Sequence, residues 1–336
     1  MTKTFIIAEA GVNYNADMGM AKDMIRIAKD CGVDSIKFQT GKPHLVTTPW
    51  ASRAQYQEAN TNSKGSQYDL IKNFDMPYEN FAILKAECEG VGIEFMSSAF
   101  EMNAARYLNS IGMARFKIPS GEITNLPYLR LIGTFKKPVI LSTGMSTMEE
   151  IADAIAIFEN AGTPRSKISI LHCTTEYPAP FAEIELNAIK AIKNKFHLET
   201  GFSDHTMGIE APIAAVALGA TIIEKHFTLD RNLPGPDQKA SIEPDELRLM
   251  VSSIRNIELA CAGSGEKVVK PSESKNISIA RRSIVASRSI KKGERLDDAN
   301  LVPKRPGNGL SPMLWDKIVG TLAVKDFEQD EFIVIS

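Results

Sequence analysis

The sequence predicts an α/β chain in which a (β/α)8 TIM barrel is followed by a small β-rich module. Three observations carry that expectation. Eight short apolar runs, bounded by turn residues, mostly alternate with stretches of helical period. Polar and titratable residues gather where those runs end, and a barrel collects such ends at one mouth. After Cys261 the composition turns polar, and short β-type runs replace the alternation. A doubly wound sheet is the runner-up architecture.

The first strand is expected at Phe5-Ile6-Ile7-Ala8, delivering Glu9 at its C-terminal end. Met20, Met24, Ile25, Ala28 and Cys31 then fall on one helical face, and Gly32 ends that helix. Ser35-Ile36-Lys37-Phe38-Gln39 is the second strand, with Lys37 and Gln39 on one face because they are two apart. Residues 40–73 are polar, weakly periodic and long for a barrel loop, so they read as a lid or substrate-binding loop. A helix around Phe81 and Cys88 leads to strand three, Ile93-Glu94-Phe95-Met96-Ser97. Strand four runs into Phe116-Lys117-Ile118-Pro119-Ser120-Gly121-Glu122, where Pro119 and Gly121 stop the strand and turn the backbone. Strand five is Pro138-Val139-Ile140-Leu141-Ser142, and Ser146 or Thr147, each with a glutamate three residues on, caps the next helix. Strand six is Ile168-Ser169-Ile170-Leu171-His172, strand seven covers residues 198–202, and strand eight is Ala220-Thr221-Ile222-Ile223-Glu224. The last barrel helix starts at Pro244 and turns Leu247, Val251 and Ile254 inward. The organisation expected is therefore a barrel over 1–262, a linker over 263–282 and a β-rich domain over 283–336.

The 336 residues are enough for a large barrel and an appendage, and the 43% hydrophobic content supplies a core. A net charge of −2 gives no basic footprint for nucleic acid. The four cysteines form no Cys-x-x-Cys pair, which fits a reducing cytoplasm. No stretch reads as a signal peptide or a membrane span. Neither a Gly-x-Gly-x-x-Gly nor a Gly-x-x-x-x-Gly-Lys-Ser/Thr motif supports nucleotide binding.

Lys37 and Lys117, with Ser142 and Ser203, form a candidate anion pocket, since charge-assisted bonds are strong in a sheltered mouth. Ser120 adds a hydrogen-bond donor beside them, and Glu122 adds a carboxylate. His205 and His226 end neighbouring strands and can share one divalent ion, for which imidazole with oxygen suits Mn, Fe, Co or Zn. Ser203, Asp204 and His205 are consecutive and do not read as a hydrolase triad. Tyr177 reads as a substrate contact, and Cys173, Tyr56, Trp50 and Trp315 as packing residues.

Several of these stretches, in order, resemble the bacterial sialic acid synthase family. They include Ile7-Ala8-Glu9-Ala10-Gly11-Val12-Asn13, Lys37-Phe38-Gln39-Thr40, Lys117-Ile118-Pro119-Ser120-Gly121-Glu122, Ser203-Asp204-His205-Thr206, Glu224-Lys225-His226-Phe227-Thr228 and Gly235-Pro236-Asp237. The tail, with Lys304-Arg305-Pro306-Gly307-Asn308-Gly309, resembles the family's antifreeze-like (SAF) domain. The resemblance implies condensation of phosphoenolpyruvate with an N-acyl mannosamine-type sugar, giving a nonulosonic acid and phosphate. It implies that Lys37, Lys117, Ser142, Ser203 and Asn60 hold phosphoenolpyruvate, and that Glu122, Gln39, Tyr177 and Asp237 face the sugar. It also implies a divalent metal on His205 and His226, Mn2+ ahead of Mg2+ or Co2+, with Glu9 at the reacting centre. For the step that stabilises charge and activates water, Glu122 ranks first and Glu9 second. The family's domain-swapped homodimer would carry Arg305 to the partner's sugar. Thr175, where some members have asparagine, and Ser98-Ala99-Phe100, in place of Thr-Pro-Phe, are departures that bear on pocket shape.

N-acetylmannosamine, giving sialic acid, and a 2,4-diacetamido-6-deoxy sugar, giving a legionaminic-type acid, both stay open. A metal-dependent aldolase or hydrolase on the same barrel is the second enzyme reading. A scaffold with a carbohydrate- or ice-binding tail is the non-enzymatic one.

Overall fold

A computed structural model describes residues 3–335, and the chain divides into two compact units, Met1–Ala262 and Gly263–Ser336. In the first unit the apolar runs form eight parallel strands: β1 (Phe5–Gly11), β2 (Ser35–Thr40), β3 (Glu94–Ala99), β4 (Phe116–Ile118), β5 (Val139–Ser142), β6 (Ile168–Cys173), β7 (Glu199–Asp204) and β8 (Ile222–His226). They pair in the order β3-β2-β1-β8-β7-β6-β5-β4, and β3 lies beside β4, so the sheet curls into a near-closed barrel.

Strand periodicity sorts the side chains. Ile7, Met96, Ile140, Leu171 and Ile222 form a separate apolar cluster inside the barrel. Each stands two residues before a polar residue of the mouth: Glu9, Ser98, Ser142, Cys173 and Glu224. The inward face of each strand thus begins as floor and ends as site. The alternate residues, among them Ile6, Ala8, Phe38, Phe116 and Phe202, join the larger core between strands and outer helices. Gly201 fills the floor position on β7 because no larger residue fits. A Cβ there would stand 2.2 Å from the Ile222 carbonyl and 2.7 Å from Leu171 Cδ2.

Several outer helices start on side-chain caps. Asp17 accepts from Gly19 and Met20 at the start of Met18–Asp30. Thr147, rather than Ser146, caps Met148–Ala161 and exchanges bonds with Glu150. Strands seven and eight extend past their expected ends, so Ser203, Asp204 and His226 are strand residues. The insertion after β2, expected to be loop, folds into the short helices Pro43–Val46, Gln55–Thr61 and Gln67–Lys72. None exceeds two turns, which explains the weak period.

The second unit contains the helix Pro271–Ala280, which has no buried residue and lies in the stretch read as a linker. Beyond it, β9 (Ser283–Ala286) pairs antiparallel with β10 (Leu301–Lys304). Ile284, Leu296, Ile318, Phe327 and Ile333 give this unit its own small core. Among the described residues, no helix is long and apolar enough to cross a membrane.

Gly201→Ala is expected to lower unfolding free energy by about 1–3 kcal/mol through overpacking of the floor. A urea midpoint equal to wild type would show that the floor has slack.

Candidate active site

At the C-terminal ends of the strands lies a cavity of about 310 Å³. Its polar side is a chain of buried ionic contacts. Lys37 Nζ, from β2, stands 2.6 Å from Glu9 Oε2 and donates to Ser98 Oγ at 3.1 Å. It also lies 3.7 Å from Glu224 Oε2. Lys117 Nζ, from β4, donates to Glu224 Oε1 at 2.7 Å, and Ser203 Oγ donates to the same oxygen at 3.0 Å. Gln39 Nε2 donates to Glu9 Oε1 at 3.1 Å.

The charges respond to one another. Burial alone would raise the pKa of Glu224, but Lys117 and Lys37 overcome it and hold the carboxyl far below its usual range. Burial would lower Lys117, and Glu224 with Glu9 more than restores it. Glu9 moves the other way, because burial and the nearby Glu224 outweigh Lys37. Any protonation of Glu9 leaves the two ammoniums under-compensated, an imbalance that an entering anion corrects.

Two hydroxyls that line the same cavity lack partners. Ser142 Oγ and Thr175 Oγ1 are buried without a hydrogen bond, and both residues line the cavity. Ser120 Oγ is engaged: it accepts from Gly144 N at 2.9 Å and lies 3.2 Å from Cys173 Sγ. A side chain on Gly144 would collide with Thr175 Oγ1 at 2.1 Å, so glycine lets the backbone close round this corner. Buried polar atoms without partners are uncommon, and two hydroxyls beside two lysines suit a tetrahedral anion.

Two imidazoles form the next wall. His205 Nδ1 lies 2.6 Å from the Thr174 carbonyl, which can only accept, so Nδ1 carries the proton and Nε2 the lone pair. His226 Nδ1 is buried without a hydrogen bond and lies 4.0 Å from Asp237 Oδ2. The ring centroids are 5.5 Å apart, and Tyr177 stacks on His205 at 4.0 Å. Burial pushes His205 down to about 4 and His226 well below the usual range, so both rings are neutral at pH 7. Neutral imidazoles with an unpartnered buried nitrogen fit a divalent metal. Among the described residues, no group of three His, Cys, Asp or Glu side chains is arranged as a metal site. Asp237 is raised to about 7, first by burial and then by Glu9.

Of the residues expected from the sequence, Glu9, Lys37, Gln39, Lys117, Ser120, Ser142, Tyr177, Ser203, His205, His226 and Asp237 all line the cavity. Three do not. Glu122, ranked first among the carboxylates, is half-buried outside the lining and accepts from Asn125 Nδ2 at 2.6 Å, because the turn Ser120–Glu122 swings it away. Asn60 donates to the Pro236 carbonyl at 2.7 Å, bracing the insertion on the loop after β8. Arg305 belongs to the second unit, where its Nε donates to the Ala280 carbonyl.

The NeuB family model matches residues 24–267, and the SAF domain model matches residues 281–336. The N,N'-diacetyllegionaminic acid synthase of Campylobacter jejuni is 46% identical over 99% of both chains. A pseudaminic acid synthase of the same species is 36% identical, over 97% of this chain and 94% of that one. The citrate complex of N-acetylneuraminic acid synthetase from Leptospira borgpetersenii superposes with a TM-score of 0.72, at 34% identity, over 82% of this chain and 90% of that one.

The chain belongs to the NeuB family.

Within this NeuB barrel, sequence reasoning undervalued Glu224, Thr175 and Tyr56. Glu224 appears there only as one strand-end polar residue, yet it shares a strand face with His226, two residues on, and that spacing marks it. Tyr56, read as packing, lines the cavity with its ring 5.0 Å from that of Tyr177. No local pattern gives it away. Val46, Leu70 and Ile71 of the insertion, Phe74 just beyond it and Phe100 after β3 give the cavity an apolar part.

Lys117→Met is expected to weaken binding of inorganic phosphate by at least about tenfold, since it removes a charge-assisted donor. Isothermal titration measures it, and an unchanged affinity would remove Lys117 from the anion pocket.

Proposed function

We propose that this NeuB-family enzyme condenses phosphoenolpyruvate with an N-acylated amino sugar and water, giving a nonulosonic acid and phosphate. The observation that carries the reading is the buried Glu9–Lys37–Glu224–Lys117 chain beside unpartnered hydroxyls and two neutral imidazoles. Lys37 and Lys117, with the hydroxyls of Ser142, Thr175 and Ser203, hold the phosphate and carboxylate of phosphoenolpyruvate. His205 and His226 hold the divalent metal, Mn2+ ahead of Mg2+ or Co2+. Such an ion, when bound, supplies Lewis acidity toward the sugar carbonyl. Gln39, Tyr177 and Asp237 orient the sugar. Attack by the enol carbon on the sugar aldehyde forms the new carbon–carbon bond, sends the carbonyl π pair to its oxygen, which takes up a proton, and leaves positive charge at the former C2 of phosphoenolpyruvate. Glu9 and Glu224 stabilise that charge from fixed positions in a site of low polarity. Glu9, whose pKa burial raises, accepts the proton of the water that adds there. Phosphate then departs from the tetrahedral centre with the C–O bonding pair, and the hydroxyl left at C2 gives up its proton to become the ketone.

A 2,4-diacetamido-6-deoxy sugar is favoured over N-acetylmannosamine. Val46, Leu70, Ile71, Phe74 and Phe100 suit methyl groups better than hydroxyls, and the Campylobacter relative carries a legionaminic name. An apolar wall leaves a hydroxyl without its water partners, which disfavours the fully hydroxylated sugar. In a homodimer of the kind the resemblance implies, Arg305 of one copy would reach the sugar end of the other's barrel.

Phosphate release from phosphoenolpyruvate, with Mn2+ or with a chelator, across a sugar panel tests the reading. Release with the diacetamido-deoxy sugar, abolished by chelator, is the expected result. Release with N-acetylmannosamine alone would transfer the assignment to sialic acid, and none with any sugar would sink the synthase reading. Glu9→Gln is expected to lose at least about a hundredfold in kcat. Glu122→Gln, altered outside the cavity, is expected to lose far less, and equal losses would return Glu122 to the chemistry.

A further inference from the structure

Behind the histidine wall lies a second ion pair that the reaction does not touch. Lys225 Nζ donates to Asp204 Oδ2 at 2.6 Å, and both side chains are 0% exposed. Neither residue lines the cavity. Lys225 also donates to the Thr206 carbonyl, while Asp204 Oδ1 accepts from Thr206 N at 2.9 Å.

The location is specific. Asp204 and Lys225 are register partners, the last pair that joins β7 to β8. Each immediately precedes one of the cavity imidazoles, His205 or His226. Thr206, just beyond His205, is held through both its N–H and its carbonyl, so the backbone on either side of His205 is fixed. The pair also specifies which face is which. In the observed register Ser203, His205, Glu224 and His226 all line the cavity. A one-residue slip of β8 would turn Lys225 inward and bring Glu224 out against Asp204, carboxylate against carboxylate. Stability alone does not call for charges here, because a buried pair is commonly no better than an apolar pair of similar volume. Fixing register is the better-attested use of such a pair.

We propose that the Lys225–Asp204 pair is a positioning device that sets His205 and His226 to receive the metal. It rests on the reading of those two imidazoles as metal ligands. The full-length protein, freed of metal, is titrated with Mn2+ and followed by electron paramagnetic resonance, and the imidazole nitrogens are observed by 15N NMR. D204N/K225M is expected to keep its fold by circular dichroism while its Mn2+ affinity falls about 10- to 100-fold. The signal of a fixed Nδ1–H on His205 is expected to broaden or shift in the metal-free variant. A folded variant with wild-type Mn2+ affinity and wild-type imidazole signals would overturn the proposal. A lower melting temperature with both readouts unchanged would overturn it too, by reducing the pair to a structural one. Should the double variant fail to fold, K225Q carries the same comparison with the same two outcomes. H205A/H226A keeps the ligand assignment separate: if it binds Mn2+ as wild type does, the assignment itself fails, and the positioning role falls with it.

Discussion

Glu224 accepts from Lys117 and Ser203 on one oxygen and holds its other oxygen 3.7 Å from Lys37. Much of the first unit follows from this contact. Two lysine ammoniums out of water cost several kcal/mol each unless a carboxylate meets them. The groups that meet here come from β2, β4 and β8, which are far apart in the chain. A barrel brings them together because β8 pairs with β1, β1 with β2, and the opposite strand β4 faces them across the mouth. Glu9, on β1 between β2 and β8, then completes the chain of contacts through Lys37. Losing β1, β2, β4 or β8 would strand a charge.

The legible part of this arrangement was the part written with period two. Lys37 and Gln39, or Glu224 and His226, share a face by spacing alone, and the polar residue at each strand end announces the mouth. The floor is legible by the same rule once the strand ends are known, since Ile7, Ile140 and Ile222 stand two residues before Glu9, Ser142 and Glu224. What escaped was set by contacts between distant segments. Glu122 sits at the end of a strand motif, but a single turn and its bond to Asn125 remove it from the cavity. Asn60 follows no pattern that reveals its bond to Pro236, 176 residues away. The insertion hid its three helices because each is too short to display a helical period, although Leu70 and Ile71 of the third line the cavity once folded.

The barrel also separates two demands that ordinarily conflict. Atoms without partners, such as Ser142 Oγ, Thr175 Oγ1 and His226 Nδ1, destabilise a folded protein by the desolvation they suffer. They are tolerable here because they lie at or just past the ends of β5, β6 and β8, above a dry floor of Ile7, Met96, Ile140, Leu171 and Ile222. A ligand that supplies their missing partners binds the folded state alone, and so adds stability where the apo protein is weakest. The outer face carries the complementary burden. Asp204 and Lys225 bond to each other and to the Thr206 backbone, and Lys225 stands next to His226, whose Nδ1 has no hydrogen bond. Alternation along β7 and β8 therefore distributes polarity twice: inward groups left open for chemistry, outward groups closed for register. A strand buried on one face only could not do both, which is a physical reason for such a site to sit in a parallel barrel covered by helices.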